Sequence, residues 1–224
     1  MSNYAYFLGG TERELKVWQS GAAVPVEGLS DDDWDRAAGA PWVIEGSTGP
    51  LAQKQVRLRR LAEVGVKTVL TASTTALIAA QRVWIPDGPA LVGYDPLLAL
   101  AGGTVQTVVT ENRDEVEILS RMWPERRFVA VKDAIGLVFS REILPIINEA
   151  VAFFEQGVRP EDIDRGVRLG LNYPKGPLEW ADLFGWPSVY WGLRALEDMF
   201  GPRFRPHPWI RAQVGSSLVE RERD

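Results

Sequence analysis

Short apolar runs alternate with helical patterns through the first part of the chain. The runs, each bounded by turn-forming or charged residues, predict strands at residues 4–8, 23–26, 42–45, 66–70, 90–93, 104–110 and 128–131. Helical patterns lie between most of these runs, and the clearest covers residues 51–64. In that helix Leu51, Leu58 and Ala62 share the apolar face, whereas Lys54 and Arg57 point elsewhere. The alternation predicts a mostly parallel sheet covered by helices.

The strand patterns stop after Gly136, and the rest of the chain is predicted to be helical. The expected helices cover residues 138–155, 160–171, 177–184 and 187–199, with a last one after His207. Pro160 suits the first position of its helix, and Gly185 and Gly201 are placed where helices end. We therefore predict an α/β domain over residues 1–133 and an all-α domain over residues 134–224.

Composition narrows the chemistry that the chain can perform. Of 224 residues, 46% are hydrophobic and 25% are charged, which excludes a disordered chain. The absence of cysteine and the single histidine, His207, argue against any metal site. A net charge of -5 gives no overall attraction to nucleic acid, and the arginine clusters at residues 57–60 and 126–127 are predicted to be solvated.

Membrane insertion and secretion find no support in the sequence. No uncharged stretch reaches the ~20 residues that a membrane-spanning helix needs. The first ten residues have neither a basic start nor an apolar run before a small-residue cleavage site. We therefore expect a cytoplasmic protein that does not contact membranes.

A long series of residues in the second half carries a family resemblance. The matching positions, in order and without a gap, are Lys132, Asp133, Gly136, Arg141, Asn148, Glu149, Ala150, Gly157, Asp162, Ile163, Asp164, Gly170, Pro174, Lys175, Gly176, Pro177, Glu179, Asp182 and Gly185. This segment resembles the C-terminal helical domain of the NAD-dependent 3-hydroxyacyl-CoA dehydrogenases. Shorter similarities lie upstream, at residues 43–45 with Lys54 and at Thr74 and Thr75. The resemblance implies a Rossmann-like domain that binds NAD and a helical domain that dimerises and helps to hold acyl-CoA.

The dinucleotide-binding turn departs from the family pattern. Gly9 and Gly10 follow the first strand, but no G-x-G occurs in the chain, and the next turn carries Glu12 and Glu14. Two carboxylates there would repel a pyrophosphate, at a cost of about 1 kcal/mol each. Glu27 follows the second predicted strand, where it is either a ribose-binding acid or an ordinary strand-end residue.

The spacing of the first strands also differs from the family. Only the stretch from Gly9 to Trp42 separates the first strand from the third, and a βαβ unit alone takes roughly 30 residues. One unit is therefore missing, and we predict a reduced Rossmann-like sheet that is smaller on its adenosine-binding side.

The positions at which the resemblance places catalytic groups hold other residues. The catalytic histidine corresponds to Tyr94, and its partner glutamate corresponds to Thr104. Two supporting polar positions fall at Thr75 and Ser140, and a further family glutamate is replaced by Gly49. Tyr94 and the adjacent Asp95 are the candidates for a replacement base, although their ordinary pKa values of about 10 and 3.9 suit neither to the task.

Three functions remain open at this point. The favoured hypothesis is a non-catalytic member of the family that keeps a binding or regulatory role, with NAD bound weakly or not at all. The alternatives are a diverged NAD-dependent oxidoreductase and a structural module without any ligand. In each case we expect a homodimer through the C-terminal helices, because that region carries an excess of large apolar residues: Leu144, Ile147, Phe153, Leu183, Trp186, Trp191 and Phe200. Acyl-CoA is the candidate ligand.

Overall fold

The computed structural model describes residues 4–110 and 112–215. The chain divides into two compact units, Met1–Val138 and Phe139–Asp224. The first unit extends past the predicted boundary because Leu137 is buried in its core and the Gly136 N–H donates to the Ser73 carbonyl at 2.9 Å.

A seven-stranded sheet forms the centre of the first unit, with the strand order β2-β1-β3-β4-β5-β6-β7. The strands are β1 Ala5–Leu8, β2 Val26–Gly28, β3 Trp42–Glu45, β4 Thr68–Ala72, β5 Ala90–Tyr94, β6 Val105–Val109 and β7 Arg127–Ala130. All neighbouring pairs are parallel except β5 and β6. The predicted fold class is confirmed, and among the strands of the described residues only β2 lies on the far side of β1, as expected if one βαβ unit is missing.

The second strand begins later than predicted. The apolar run predicts a strand over residues 23–26, but β2 begins at Val26. Pro25 has no backbone N–H to contribute to a ladder, although its carbonyl accepts from the Ala5 N–H at 3.0 Å. Ala23 instead donates its N–H to the Met122 carbonyl at 2.7 Å.

Alternation along the strands builds a core on each face of the sheet. Ile44 and Tyr94 lie in one apolar cluster, and Val43 and Leu91 lie in the other. The helices of the first unit are α1 Glu12–Gln19, α2 Trp34–Ala37, α3 Leu51–Glu63, α4 Ile78–Trp84, α5 Pro96–Leu100 and α6 Arg113–Met122. Trp18 of α1 and Leu119 of α6 cover the first face. Helices α3 and α4 cover the second, where Leu58 and Ile78 are buried.

The predicted apolar face of α3 is wrong in part. Leu51, expected in the core, is 46% exposed, whereas Lys54, expected to point away, is completely buried with Leu58 and Leu61. The buried stripe is therefore Lys54, Leu58 and Leu61. Lys54 tolerates this position because its ammonium group is paired with the buried carboxylate of Glu45.

Five helices and a short 3-10 turn, Pro202–Phe204, form the described part of the second unit. The helices are α7 Phe139–Glu155, α8 Pro160–Leu171, α9 Pro177–Phe184, α10 Trp186–Phe200 and α11 Pro208–Gln213. The predicted helices are confirmed, with the bounds of α8 and α9 unchanged. Asp164 of α8 accepts the N–H groups of Leu178 and Glu179 at 2.8 and 3.2 Å, which joins α8 to the beginning of α9.

Candidate functional site

The strand order of the first unit reverses at β1, which lies between β2 and β3. In open α/β sheets a ligand binds in the crevice beyond the carboxyl ends of the strands at such a switch point. Here that crevice is bordered by Gly9 and Gly10 after β1 and by Gly46 after β3. These two turns therefore form the candidate nucleotide site.

The side chain of Phe7 fills the space between the two turns. Phe7 is 4% exposed. A Cβ atom built on Gly10 would lie 2.4 Å from Phe7 Cζ, and one built on Gly46 would lie 3.0 Å from the same atom. The position of the Gly46 Cβ is also only 3.2 Å from Gly10 Cα. Both glycines thus allow their turns to pack on the ring and on each other, rather than on a ligand.

A capping box closes the N-terminus of α1. Glu14 Oε2 accepts the Thr11 N–H at 2.7 Å and the Thr11 hydroxyl at 3.0 Å, and Thr11 Oγ1 accepts the Glu14 N–H at 3.2 Å. The Glu14 carboxyl group is buried, and this desolvation raises its pKa to about 7. The chain's own carboxyl group therefore occupies donors that usually meet a pyrophosphate. Glu12, in contrast, is exposed and pairs with Lys16 at 2.8 Å.

An ion pair crosses the crevice beside Gly9. Arg57 Nε and Nη2 donate to the two carboxylate oxygens of Asp31 at 2.7 and 2.6 Å. The Arg57 Nη1 atom lies 3.0 Å from a Cβ built on Gly9, which adopts a φ of +76°. Arg57 is therefore committed to this pair, with a side chain only 16% exposed, and is not the solvated residue that the sequence suggested.

The predicted ribose-binding acid, Glu27, lies elsewhere. It is inside β2, opposite Tyr6, rather than after the strand. Its carboxylate is exposed and accepts from Arg36 Nη2 at 2.7 Å. The acid that follows β2 near the crevice is Asp31. The sequence prediction missed Asp31 because it ended β2 too early.

A buried polar network joins the carboxyl ends of β3 and β4 to α3 and α4. Glu45 accepts hydrogen bonds from the Ser47 hydroxyl, the Lys54 ammonium and, at 3.2 Å, the Thr71 hydroxyl. Thr71 Oγ1 also lies 2.7 Å from Gln81 Oε1, so its single hydroxyl proton is shared between the two acceptors, Glu45 and Gln81. Burial lowers the pKa of Lys54, and the adjacent Glu45 carboxylate opposes that shift. The polar side chains at the carboxyl ends of β3 and β4 are thus hydrogen-bonded to other side chains of the same unit.

The two candidates for a replacement base have other roles. Tyr94 is completely buried and packs edge-to-face on Trp18 at 5.2 Å. Desolvation, with a smaller effect of the Glu14 and Glu45 carboxylates, raises the Tyr94 pKa well above its ordinary value. Asp95 is the N-cap of α5, where Oδ1 accepts the Leu97 N–H at 3.1 Å and the Leu98 N–H at 3.3 Å.

The remaining site positions fall in different surroundings. Thr104 is exposed before β6, and its carbonyl accepts from the Arg127 N–H at 2.8 Å. Ser140 is buried in α7 of the second unit. Thr75 lies in the turn after β4, together with Ser73 and Thr74. All three of these hydroxyl groups are buried, and none has a hydrogen-bond partner within the described residues.

Neither a metal centre nor a membrane-spanning helix is found in the described residues. Residues 4–110 and 112–215 contain no group of three or more His, Asp or Glu side chains able to hold a metal ion. In the same part of the chain, no helix is both long and apolar enough to span a membrane. His207 is the N-cap of α11, where its Nδ1 accepts the Trp209 N–H at 3.3 Å.

Comparison with characterised proteins adds sequence relatives. A probable 3-hydroxybutyryl-CoA dehydrogenase of Bacillus subtilis is 27% identical over 190 residues, which cover 80% of this chain and 66% of the relative. The 3-hydroxyadipyl-CoA dehydrogenase of Escherichia coli is 40% identical over 86 residues, which cover 38% of this chain and 18% of the relative. The chain thus spans less than two thirds of the length of these relatives.

A solved structure and a family model give two further similarities. The (S)-3-hydroxybutyryl-CoA dehydrogenase of Ralstonia eutropha has a TM-score of 0.69 at 18% identity, covering 97% of this chain and 95% of that one, which shows a shared fold. The family model described as 3-hydroxyacyl-CoA dehydrogenase, C-terminal domain, matches residues 136–223. Together with the motif series of the second half, this match assigns residues 136–223 to the C-terminal domain family of the 3-hydroxyacyl-CoA dehydrogenases.

Proposed function

We propose that this protein is a 3-hydroxyacyl-CoA dehydrogenase-like protein without dehydrogenase turnover, which acts by binding, regulation or assembly in acyl-CoA metabolism. The observation that carries the proposal is the Phe7 ring packed between Gly10 and Gly46 at the switch point. A dinucleotide in its usual place needs that volume for its pyrophosphate. The residues present therefore do not fit NAD there.

The electrostatics of the same edge support the proposal. Glu14 uses donors at the α1 N-terminus, and Arg57, the cation nearest Gly9, is held by both oxygens of Asp31. Binding a pyrophosphate would require both interactions to be broken and two carboxyl groups to face an anion. Charge-assisted and bidentate hydrogen bonds of this kind are among the strongest in proteins, so breaking them opposes binding.

The acid–base requirement points in the same direction. Dehydrogenation of a 3-hydroxyacyl group needs a group that takes the hydroxyl proton near neutral pH. Tyr94 holds its proton because burial raises its pKa, and Asp95 Oδ1 accepts two backbone N–H groups at the start of α5. Thr104 has no titratable side chain. The chain's own residues thus supply no base at the positions that the family resemblance indicates.

One further observation concerns ligand binding, and it is compatible with both candidates, the non-catalytic protein and a diverged NAD-dependent dehydrogenase. Ser73, Thr74 and Thr75 bury three hydroxyl groups without partners among the described residues. An unsatisfied buried polar group costs about 1–3 kcal/mol, so such groups in a folded protein call for a water or a ligand. A polar ligand at the carboxyl end of β4, such as an acyl-CoA thioester, would satisfy them in either candidate.

Calorimetry with NAD and NADH tests the proposal. We expect no binding in the low micromolar range, because the crevice is filled by Phe7 and its donors are used by Glu14. A thermal-shift series with acetoacetyl-CoA is the companion measurement, since a ligand at 100 times its dissociation constant adds about 2.7 kcal/mol of stability. Stabilisation by acetoacetyl-CoA alone distinguishes a ligand-binding protein from a purely structural module. A low-micromolar dissociation constant for NAD contradicts the proposal.

We further propose that the protein is a cytoplasmic homodimer that associates through its second unit. Leu144 and Ile147, two of the apolar residues that the sequence predicts at the dimer interface, are completely buried in the chain. The support therefore comes from exposed apolar residues of the same unit, among them Phe153, Leu169 and Leu171, which are 52%, 75% and 57% exposed. Self-association that covers such residues is usually two-fold.

Light scattering at tens of micromolar tests the dimer. We expect twice the chain mass of 24.9 kDa, and a shift toward the monomer when Leu169 is replaced by Asp. Val83→Asp is the matched control, because Val83 is 76% exposed but lies on α4 of the first unit. A wild-type monomer would overturn this proposal, and so would equal dissociation of both variants.

A further inference from the structure

A cavity of about 210 Å³ lies within the second unit and includes no residue of the switch-point crevice. Its lining residues are Tyr190, Arg194, Glu197, Arg205, Pro206, Pro208 and Arg211. Tyr190, Arg194 and Glu197 come from one face of α10, since they are spaced four and three residues apart. The loop after the 3-10 turn and α11 supply the other walls.

The lining carries three guanidinium groups and one carboxylate. Glu197 Oε2 accepts from Arg194 Nη1 at 2.7 Å, and Oε1 accepts from Arg205 Nε at 2.8 Å. Both oxygens of Glu197 are thus used, and the three guanidinium groups exceed the carboxylates of Glu197 and of the nearby Asp198 by one positive charge. Asp198, which lies 3.5 Å from Arg194 Nη2, is 68% exposed and is not part of the lining.

The guanidinium groups are held in place from two directions. Glu197, whose side chain is 13% exposed, orients Arg194 and Arg205 from α10. Asn148 of α7 orients the loop, because its Nδ2 donates to the Arg205 carbonyl at 3.0 Å and its Oδ1 accepts the His207 N–H at 2.8 Å. Among residues 4–110 and 112–215, the partner of the Arg205 guanidinium is Glu197, which it reaches through Nε, so its two Nη groups remain available to a ligand.

We propose that this cavity binds a phosphate dianion, either free or as a phosphate monoester. Arginine forks match the oxygens of phosphate, and the net positive charge around the cavity favours a group such as a phosphate monoester, which carries about 1.5 to 2 negative charges at pH 7. The side chains of Pro206, Pro208 and Tyr190 form apolar walls, which suit the organic part of a monoester. The site involves none of the residues on which the proposed function rests.

The test is calorimetry on the full chain with three ligands, inorganic phosphate, glycerol 2-phosphate and acetate, at constant ionic strength. We expect both phosphates to bind and acetate, which carries one charge, to bind at least about tenfold more weakly. Replacing Arg205 and Arg211 together by Gln should weaken phosphate binding at least about tenfold, because each removes charged hydrogen-bond donors. Both side chains are exposed, so the double variant should fold, which circular dichroism verifies.

Arg165→Gln is the matched control. Arg165 is exposed on α8 of the same unit and lies outside the cavity, so its replacement changes the net charge without changing the lining. Unchanged phosphate binding by this variant supports a built site. No binding of either phosphate at 10 mM, an equal affinity for acetate, or an equal weakening in Arg165→Gln and the double variant would each overturn the proposal. A monoester that binds more tightly than free phosphate identifies the monoester as the ligand.

Discussion

Purified protein should reduce acetoacetyl-CoA with NADH no faster than the background reaction, and in any case below about 1 per second. Proton transfer by a positioned side chain commonly supplies 10²- to 10⁴-fold of rate, roughly 3 to 5 kcal/mol of barrier. Under the proposed function that contribution is missing, because burial holds the proton on Tyr94 and Thr104 occupies the position at which the family resemblance places the glutamate. Under the proposed function, the Phe7 ring also keeps the hydride donor from its usual place. A coupled spectrophotometric assay at saturating NADH measures the rate.

Two variants test whether Tyr94 or Asp95 acts as a replacement base. Tyr94→Phe and Asp95→Asn remove the only two titratable groups at the expected position of the catalytic histidine, while keeping their approximate shapes. If the wild-type protein turns over faster than about 1 per second and either variant abolishes turnover, a replacement base exists and the proposal of a non-catalytic protein is wrong. An active dehydrogenase of the family, assayed in parallel, verifies the reagents. The effects of groups that act together do not add, so the variants are compared singly.

Lys54→Met should destabilise the protein far more than removal of a charge from the surface. The Lys54 ammonium and the Glu45 carboxylate are both completely buried and paired. Removal of one partner leaves the other charge buried without compensation, which costs about 3–5 kcal/mol. Urea unfolding followed by circular dichroism gives the free energy of unfolding.

Lys16→Met is the matched control for that experiment. Lys16 pairs with Glu12 on the surface of α1, where the two side chains are 70% and 79% exposed. Exposed pairs of this kind contribute about 0–1 kcal/mol. Adding Glu45→Gln to Lys54→Met should restore part of the stability, because no uncompensated charge then remains. If Lys54→Met lowers the free energy of unfolding by less than about 1 kcal/mol, the Glu45 carboxylate is either protonated or paired with another group in the variant.

Local patterns predict most of the fold. The sequence places helices α8 and α9 correctly because proline begins each helix, a signal that acts within one turn. Strand positions follow from apolar runs in the same local way. The predicted start of β2 is wrong because the partner of Ala23 is Met122, far away in the chain. No local pattern contains that information.

The candidate site is predictable only where its contacts are local. Thr11 and Glu14 are three residues apart and form a capping box, a signal that the sequence does contain. The ion pair of Asp31 and Arg57 and the packing of Phe7 against Gly46 join separate elements, so they arise only when the sheet assembles. The same holds for Lys54, whose burial depends on Glu45 at the end of the neighbouring strand. The sequence thus locates the candidate site, whereas the contacts that occupy it form only when the sheet assembles.

The short strand β2 has a consequence for the behaviour of the protein at high concentration. Because no further strand of the described residues lies beyond it, β2 is an edge of the sheet, and open edges pair with other chains and promote aggregation. This edge has only three residues, and its central residue, Glu27, holds an exposed carboxylate paired with Arg36. Short length and charge both oppose strand addition. Glu27 lies at the edge that the missing βαβ unit leaves open. Its charge therefore opposes edge-to-edge association of the reduced sheets of different chains.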